Sequence, residues 1–357
     1  MTFLYHQVAP PLSDSINFLY AVHGAMPYVR DVVFPTASTD FKINLGDPWL
    51  VEDPGLGTAE SLAGGWCMGI WDRHHVVSWP TETDFVGVSF KPGGAHAFIG
   101  VPMAELRNRF VPLDTIWGPA GSGIRERLGN AVTVEHRFSL LEAFLFGRWR
   151  ENNDAAAIVG HVATKIHRHH GTALIGDLSA AAGVSQKHLI TLFNRLVGCT
   201  PKGLARLTRF HHALDSLDIA APVRWTNVAY EHDFADQAHF THDFAAYSGL
   251  TPTVYLARRL AVHAERPAHA SVPWMLPAGQ ISTSPRPLCS LEHGCTHKEM
   301  HNDHQEGRQT ARVDAQKRHS GWARRHCRAC PHAVESCRGD VNDPPIRNLQ
   351  GRNTDRL

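Results

Sequence analysis

An internal repeat is the feature that most constrains the fold of this 357-residue chain. The segment Ser185–Pro201 recurs as Asp236–Pro252, so that every matched pair is separated by the same number of residues. Identical residues occupy six matched sites: Gln186/Gln237, His188/His239, Phe193/Phe244, Gly198/Gly249, Thr200/Thr251 and Pro201/Pro252. Because the spacing is constant over seventeen residues, the pattern indicates that one structural unit is present twice.

Each repeated segment has the signals of one capped helix. Ser185 and Asp236 are good N-cap residues, since their side-chain oxygens accept hydrogen bonds from free backbone N–H groups. Apolar side chains then follow at helical spacing: Leu189, Leu192, Phe193 and Leu196 in the first unit, and Phe240, Phe244 and Tyr247 in the second. Gly198 and Gly249 suit the left-handed conformation that ends a helix. The Thr-Pro pair after each glycine predicts the start of another helix.

A short helix and a tight turn precede each capped helix. Leu178–Ala182 leads into Gly183-Val184, and Thr226–Glu231 leads into Asp233-Phe234. This order is typical of a helix-turn-helix. A connecting helix from Pro201 to about Leu217 would hold the two units rigidly apart. Two such units can place their second helices in major grooves about 34 Å apart along one face of the duplex.

These motifs resemble the DNA-binding domain of the AraC/XylS regulators. The resemblance covers residues 153–262. It rests on the following motifs: Leu178-Ser-Ala-Ala-Ala-Gly-Val-Ser185, Leu189-x-x-Leu-Phe193, Gly198-x-Thr-Pro201, Asp236-Gln-Ala-His-Phe240 and Gly249-Leu-Thr-Pro252. It implies an all-α double helix-turn-helix domain that binds double-stranded DNA in two adjacent turns of the major groove. The front part is similar to an uncharacterised sensor-like domain, through Phe41–Asp47, Gly87–Gly94 and Gly100–Leu106.

The resemblance assigns DNA contact to the exposed face of each second helix. The implied residues are Gln186, Lys187, Ile190, Thr191, Asn194 and Arg195 in the first unit, and Gln237, Ala238, Thr241 and His242 in the second. An ordinary solvated helix face is the alternative. Thr191 and His242 stand where relatives often have arginine, and Asp233 stands at a turn position usually given to glycine. Loss of both arginines removes two charge-assisted contacts, while histidine at 242 would make binding sensitive to pH.

The remaining segments predict a multidomain fold. Residues 1–150 contain short alternating runs bounded by Gly/Pro turns, which favours a β-rich sensor domain of barrel or sandwich type. A helix is predicted over Phe138–Trp149. Residues 265–357 are rich in Pro, His, Arg and Cys and have no apolar period, so we expect a disordered tail. A frameshift near codon 265 is an alternative origin for this tail.

Charge and composition are consistent with this organisation. Residues 1–160 carry 11 Lys/Arg and 17 Asp/Glu, whereas residues 161–265 carry 10 and 8 together with eleven histidines. An acidic front and a more basic back suit a sensor joined to a polyanion binder. The N-terminus lacks a signal-peptide pattern, and no run approaches eighteen apolar residues. We therefore expect a cytoplasmic protein with no membrane partner.

Other functions have weaker support. Cys327-x-x-Cys330 resembles zinc-ligand spacing, but it lacks apolar neighbours to form a core, so no metal and no cofactor is predicted. His74-His75 beside Trp71 favours a surface or turn position over a sensor pocket. No nucleophile motif or carboxylate pair stands out, so no enzyme activity is predicted.

Two enzymatic alternatives remain. A DNA-repair methyltransferase can carry this kind of DNA-binding domain, although Cys67 and Cys199 lie far apart in the sequence. The other alternative is a small-molecule enzyme in the front domain. For a regulator, an unknown small-molecule effector is expected. Contact with RNA polymerase, the operator sequence, the direction of control and the oligomeric state stay open.

Overall fold

The front half of the chain is a pair of antiparallel sheets. The computed structural model describes residues 1–150, 154–266 and 272–278. The first sheet contains, in spatial order, β1 (Thr2–His6), β2 (Ile16–Gly24), β9 (Thr83–Phe90), β4 (Asp40–Asn44), β7 (Gly65–Met68) and β10 (Phe110–Pro112). The second contains, in order, β11 (Met275–Pro277), β3 (Arg30–Val33), β8 (His75–Ser78), β5 (Trp49–Asp53) and β6 (Thr58–Leu62). The predicted β-rich front domain is confirmed.

Successive side chains along each strand point to opposite faces of the first sheet, and both of these faces are buried. In β4, Phe41 and Ile43 pack with β9 residues and four short helices, whereas Lys42 points to the opposite face. The four helices are α1 (His96–Ile99), α2 (Leu113–Trp117), α3 (Pro119–Gly129) and α4 (Val134–Phe146). The face between the sheets is aromatic, with Trp49 in T-shaped contact with Trp66 and Phe85. The front domain is therefore a sandwich with a helical layer over one sheet.

The back half is helical from residue 154 to 265. Its helices are α5 (Asp154–Arg168), α6 (Ile175–Ala181), α7 (Gln186–Leu196), α8 (Pro201–Asp215), α9 (Trp225–Glu231), α10 (Gln237–Ser248) and α11 (Pro252–Glu265). The predicted N-caps and helix starts are present: Ser185, Thr200, Asp236 and Thr251 each accept a hydrogen bond from the backbone N–H three residues later. Gly198 and Gly249 both have positive φ, +95° and +70°. The double helix-turn-helix is confirmed.

The helical half and the second sheet share one apolar cluster. Phe34, which follows β3, is fully buried against Phe210 of α8 and Tyr255 of α11. Val32, Ile70 and Val76 belong to the same cluster as the helix cores. Close by, the His211 imidazole Nε2 lies 2.6 Å from the backbone carbonyl of Pro35. The front domain therefore completes the core of the helical domain.

The structure corrects part of the predicted disordered tail. Met275–Pro277 form β11, which pairs with β3 at the edge of the second sheet. Tyr255 donates from its hydroxyl to the carbonyl of Pro273, and Arg259 donates to that of Val272. Composition alone misses this strand because one buried leucine, Leu276, and a free sheet edge are enough to order seven residues. The other residues of the predicted tail, including Cys327 and Cys330, lie outside the described residues.

The β11 strand predicts a stability effect. Leu276 is fully buried, so Leu276→Ala should lower the free energy of unfolding by about 2–4 kcal/mol, through lost burial and a residual cavity. The measurement is urea denaturation of the full chain. Leu50→Ala, at an exposed site on β5, is the control and should change stability little. Equal stability of the two variants would mean that the strand contributes nothing to the fold.

Candidate nucleic-acid interface

The first predicted contact helix, α7, places its set of residues at the surface. Gln186, Lys187, Ile190, Thr191 and Arg195 are exposed, and Asn194 is half-buried. The opposite side of the helix is the apolar stripe predicted from the sequence. The Thr191 hydroxyl donates to the backbone carbonyl of Lys187, 3.1 Å away, and this leaves its methyl group and oxygen lone pairs for a ligand. We refer to α7 and α10 below as the recognition helices.

The second recognition helix, α10, presents a smaller polar face. Gln237, Ala238 and His242 are exposed, and Thr241 is half-buried. The Gln237 side chain accepts a hydrogen bond from the Thr226 hydroxyl of α9 at 3.1 Å. The structure thus brings each predicted set together on one helix.

The two turns are built alike in spite of the Asp233 substitution. Asp233 has φ +54° where Gly183 has φ +68°. Aspartate is among the few residues that occupy this left-handed region readily. Arg209 of α8 donates to the Asp233 carbonyl at 2.8 Å, and its guanidinium lies 4.6 Å from the ring centre of Phe234. This support from the connecting helix helps the turn to form with aspartate in place of glycine.

Helix α10 contains a buried carboxylate that was not predicted from the sequence. Asp243 is almost fully buried and pairs with Arg206 of α8 through contacts of 2.5 and 3.2 Å. Burial alone would raise the pKa of the Asp243 carboxyl, but the Arg206 hydrogen bonds and charge outweigh it and hold this pKa below its usual value. The matched residue of the first unit is the buried Leu192. The sequence did contain a signal for this site, because Asp243 is charged where the first copy of the repeat has an apolar residue.

Three histidines join the ends of the helices near α8. The rings of His170 and His212 are stacked at 3.7 Å, and the Nδ1 atoms of His212 and His232 lie 3.0 Å apart. The Ser216 hydroxyl lies 2.8 Å from His232 Nε2. A hydrogen bond between two imidazole nitrogens needs one of them unprotonated. Burial, then the charges of His170 and His232, lower the pKa of His212 to about 4.

The front domain touches both recognition helices at the matched glycines. A methyl group at Gly249, after α10, would overlap the His74 imidazole. A methyl group at Gly198, after α7, would come within 2.9 Å of the Met103 carbonyl oxygen. His74 belongs to the segment between β7 and β8, and Met103 begins the 3-10 turn Met103–Leu106. Equivalent points of the repeat are therefore held by two segments of one domain.

A cleft in the front domain is lined by Trp71 of the first segment and by Asn108, which follows the second segment by two residues. The cleft has a volume of about 320 Å³ and lies between the edge strands β6 and β10, with Trp71 and Phe110 as aromatic walls. Asn108 joins the segments, since its N–H donates to the Ile70 carbonyl and its side chain accepts from the N–H of Asp72. The volume falls within the range of small-molecule sites.

His75 lies behind the walls of this cleft. It is buried in β8, and its ring contacts the rings of Trp71 and Phe110 at 4.9 and 5.4 Å. Burial lowers the pKa of His75 to about 3, so the imidazole is neutral at physiological pH. The predicted surface or turn position is therefore wrong for this histidine, because β8 carries it into the sandwich.

The described residues hold no metal site and no membrane-spanning helix. No group of three or more His, Cys, Asp or Glu side chains there has an arrangement that could hold a metal ion. None of the helices in that part of the chain is long and apolar enough to cross a membrane. The cysteines in it, Cys67 and Cys199, are buried free thiols, and burial raises the pKa of each, that of Cys199 to about 12.

Fold and site define a tandem helix-turn-helix domain attached to a β-sandwich domain. Comparison with known families agrees: residues 178–258 match a helix-turn-helix domain family, and residues 5–112 match a domain of unknown function, DUF6597. The chain carries an AraC-type helix-turn-helix domain behind a DUF6597 domain. The resemblance stated from the sequence is thus confirmed. A comparison with curated proteins found no match.

Similar solved structures include two of ToxT, one of them with a bound fatty acid, and one of a transcriptional activator. ToxT of Vibrio cholerae is 10% identical, with a TM-score of 0.38 over 67% of this chain and 98% of ToxT. ToxT with an unsaturated fatty acid bound is 12% identical, with a TM-score of 0.37 over 68% and 95%. The AraC-like transcriptional activator CuxR is 12% identical, with a TM-score of 0.21 over 49% and 70%.

The histidine cluster predicts acid sensitivity of the fold. The pKa of His212 lies near 4 in the native state, whereas an unfolded histidine has a pKa of about 6.5. As pH falls through this interval the unfolded chain binds a proton that the native chain refuses, so stability decreases. The melting temperature should therefore drop between pH 7 and pH 5, and less steeply in His212→Asn. His23→Asn, at an exposed site, is the control. Parallel curves for wild type and His212→Asn would contradict the assignment.

Proposed function

We propose that this protein is a sequence-specific, effector-responsive transcription regulator that acts in the cytoplasm. The single observation that carries the proposal is the presentation of two polar helix faces, on α7 and α10, by one rigid connecting helix. Each face follows a capped turn of the helix-turn-helix type. Recognition helices of this kind enter the major groove. We propose that α7 and α10 enter two successive turns of double-stranded DNA.

The exposed side chains support base readout by the first helix more strongly than by the second. Lys187 can donate to guanine, and Thr191 can offer its methyl group to thymine. Arg195, farther along α7, is better placed for a phosphate. In α10, Gln237 and Thr241 are the corresponding groups for base edges. We therefore propose a strong first element and a weaker second element in the operator.

Control by a small molecule is proposed for the cleft between β6 and β10. Trp71 and Asn108 line the cleft, and the segments that carry them continue to the contacts at Gly249 and Gly198. A ligand that moves either wall would alter the support of a recognition helix. Such a displacement is a coupling between two distinct sites, as allostery requires. Contact with RNA polymerase is a further part of this proposal.

Within the part of the chain that the structure describes, no observation supports the methyltransferase alternative. It needs an accessible thiolate, because the thiolate is the nucleophile. Cys67 and Cys199 are both buried and their pKa values are raised. No catalytic family is indicated by the domain matches. A regulator without enzyme activity is therefore the function we propose.

Selection from a random duplex pool tests the proposed function. The full chain should be used, because residues of the front domain complete the helical core. We expect enrichment of two short elements about one helical turn apart. Binding that depends on salt but selects no sequence would overturn the proposal, since phosphate contacts alone give that result.

A substitution at Lys187 tests whether helix α7 reads the first element of the operator. Lys187→Ala should weaken binding to the selected duplex by about 1–3 kcal/mol and relax the preference at one base pair of the first element. Lys91→Ala removes the same charge at an exposed site on the front domain and serves as the control. Affinity and base preference are measured on duplexes that vary one position at a time. Equal effects of the two variants would remove Lys187 from the interface.

Filling the cleft tests the coupling without knowledge of the effector. Thr58 lines the cleft on β6, whereas the side chain of Ser61 lies on the opposite face of the same strand. Thr58→Trp should change affinity for the selected duplex at least about fivefold, which is within the usual range of allosteric coupling. Ser61→Trp should leave affinity unchanged. If both variants bind as wild type, the cleft is not coupled to the recognition helices.

A further inference from the structure

The first strand of the front domain, β1, has an unpaired outer edge. It is the last strand on one side of the first sheet, and it pairs with β2 along its inner edge. Among the described residues, no strand pairs with its outer edge. The backbone N–H and C=O groups along such an edge are ready to form hydrogen bonds with another strand. The strand β1 therefore offers a free edge of five residues.

Apolar side chains are exposed on both faces of β1. Phe3, Leu4 and Tyr5 are 51%, 42% and 54% exposed. Phe3 and Tyr5 point to one face of the sheet and Leu4 points to the other, because side chains alternate along a strand. The ring of Phe3 stacks on that of Tyr20 in β2, with the ring centres 5.6 Å apart, so the strand is anchored to the sheet. An ordered, apolar edge strand of this kind associates with another strand unless something prevents it.

The other three sheet edges have features that oppose pairing. The edge strand β6 is exposed along Thr58–Ser61, which includes the charged residue Glu60. The edge strands β10 and β11 are three residues long, and they end in Pro112 and Pro277. Charge, short length and proline are means by which natural sheets avoid edge-to-edge contact. The strand β1 has no proline and no Asp, Glu, Lys or Arg, so of the four edges it is the one that lacks this protection.

A second copy of β1 is the partner that this strand fits. In an antiparallel pair centred on Leu4, each leucine faces the leucine of the other copy. Phe3 then faces Tyr5, and Thr2 faces His6, so that all five residues of the strand are paired. Residues that face one another in this register point to the same side of the sheet, and aromatic cross-strand pairs stabilise a sheet. Because the strand carries no acidic residue, lysine or arginine, no like charges meet across the two-fold axis.

We infer that two copies of this protein associate through their β1 strands, in antiparallel register about Leu4. The two six-stranded sheets then join into one continuous sheet. Each copy contributes the same strand, so the interface is isologous and the association closes at two copies. This interface lies at the opposite edge of the first sheet from β10, which borders the cleft. The inference does not depend on the proposed function, because association in solution requires no DNA.

Charges at the centre of the strand pair test both the partner and the register. Leu4→Lys places two ammonium groups opposite each other, and Leu4→Glu places two carboxylates there. Sedimentation equilibrium of the full chain measures the dissociation constant of the dimer. Each variant alone should raise this constant at least about tenfold, since like charges that face each other across an interface are unfavourable. An equimolar mixture of the two should form a heterodimer at least about fivefold tighter than either homodimer, because an ammonium group then faces a carboxylate.

Leu50→Lys is the matched control. Leu50 is 43% exposed, close to the value for Leu4, but its strand β5 is paired on both sides. This variant should dimerise as wild type does, and the melting temperature of each variant checks that it is folded. Wild type that stays monomeric at about 0.1 mM would overturn the inference, because even a weak dimer is populated at that concentration. It would also be overturned by equal effects of Leu4→Lys and Leu50→Lys, or by two Leu4 variants that do not associate when they are mixed.

Discussion

Burial of the connecting helix α8 is the interaction on which the rest of the structure depends. Leu204, Leu207, Phe210 and Leu214 are buried along it, and they pack with residues from both helix-turn-helix units and from the front domain. Burial of each side chain contributes about 1.5–3 kcal/mol relative to exposure. Because all three parts share this one cluster, the spacing of the recognition helices is fixed by core packing rather than by a flexible linker.

Polar contacts of α8 fix the orientation of the second unit on this apolar core. Arg206 and Arg209, one turn apart on α8, reach the second unit at Asp243 and at the Asp233 carbonyl. A leucine in the place of either half-buried arginine could pack against the core but would not fix the rotation of α10 or the shape of the turn. Specific polar contacts of this type need both partners, since a buried carboxylate left alone is costly.

The sequence predicted the helical half well because its signals are local. Caps, glycine ends and apolar stripes act within one or two helical turns, and a repeat doubles each signal. The strand Met275–Pro277 could not be predicted in this way, because its order depends on the free edge of β3, more than two hundred residues away. His75 shows the same limit: its burial follows from the pairing of β8, and not from its neighbours in the sequence. The buried Asp243 was within reach of the sequence, since its matched site in the repeat is Leu192.

The two matched glycines show how one domain can act on both recognition helices. Each glycine ends its helix with positive φ and lacks a side chain, and these two properties let His74 and Met103 approach the backbone closely. An L-residue at either site would be strained and would push the front domain away. Duplication of the unit therefore also duplicated its point of attachment. Because both points lie within a few residues of the walls of one cleft, at Trp71 and Asn108, a displacement of those walls would act on the two helices together.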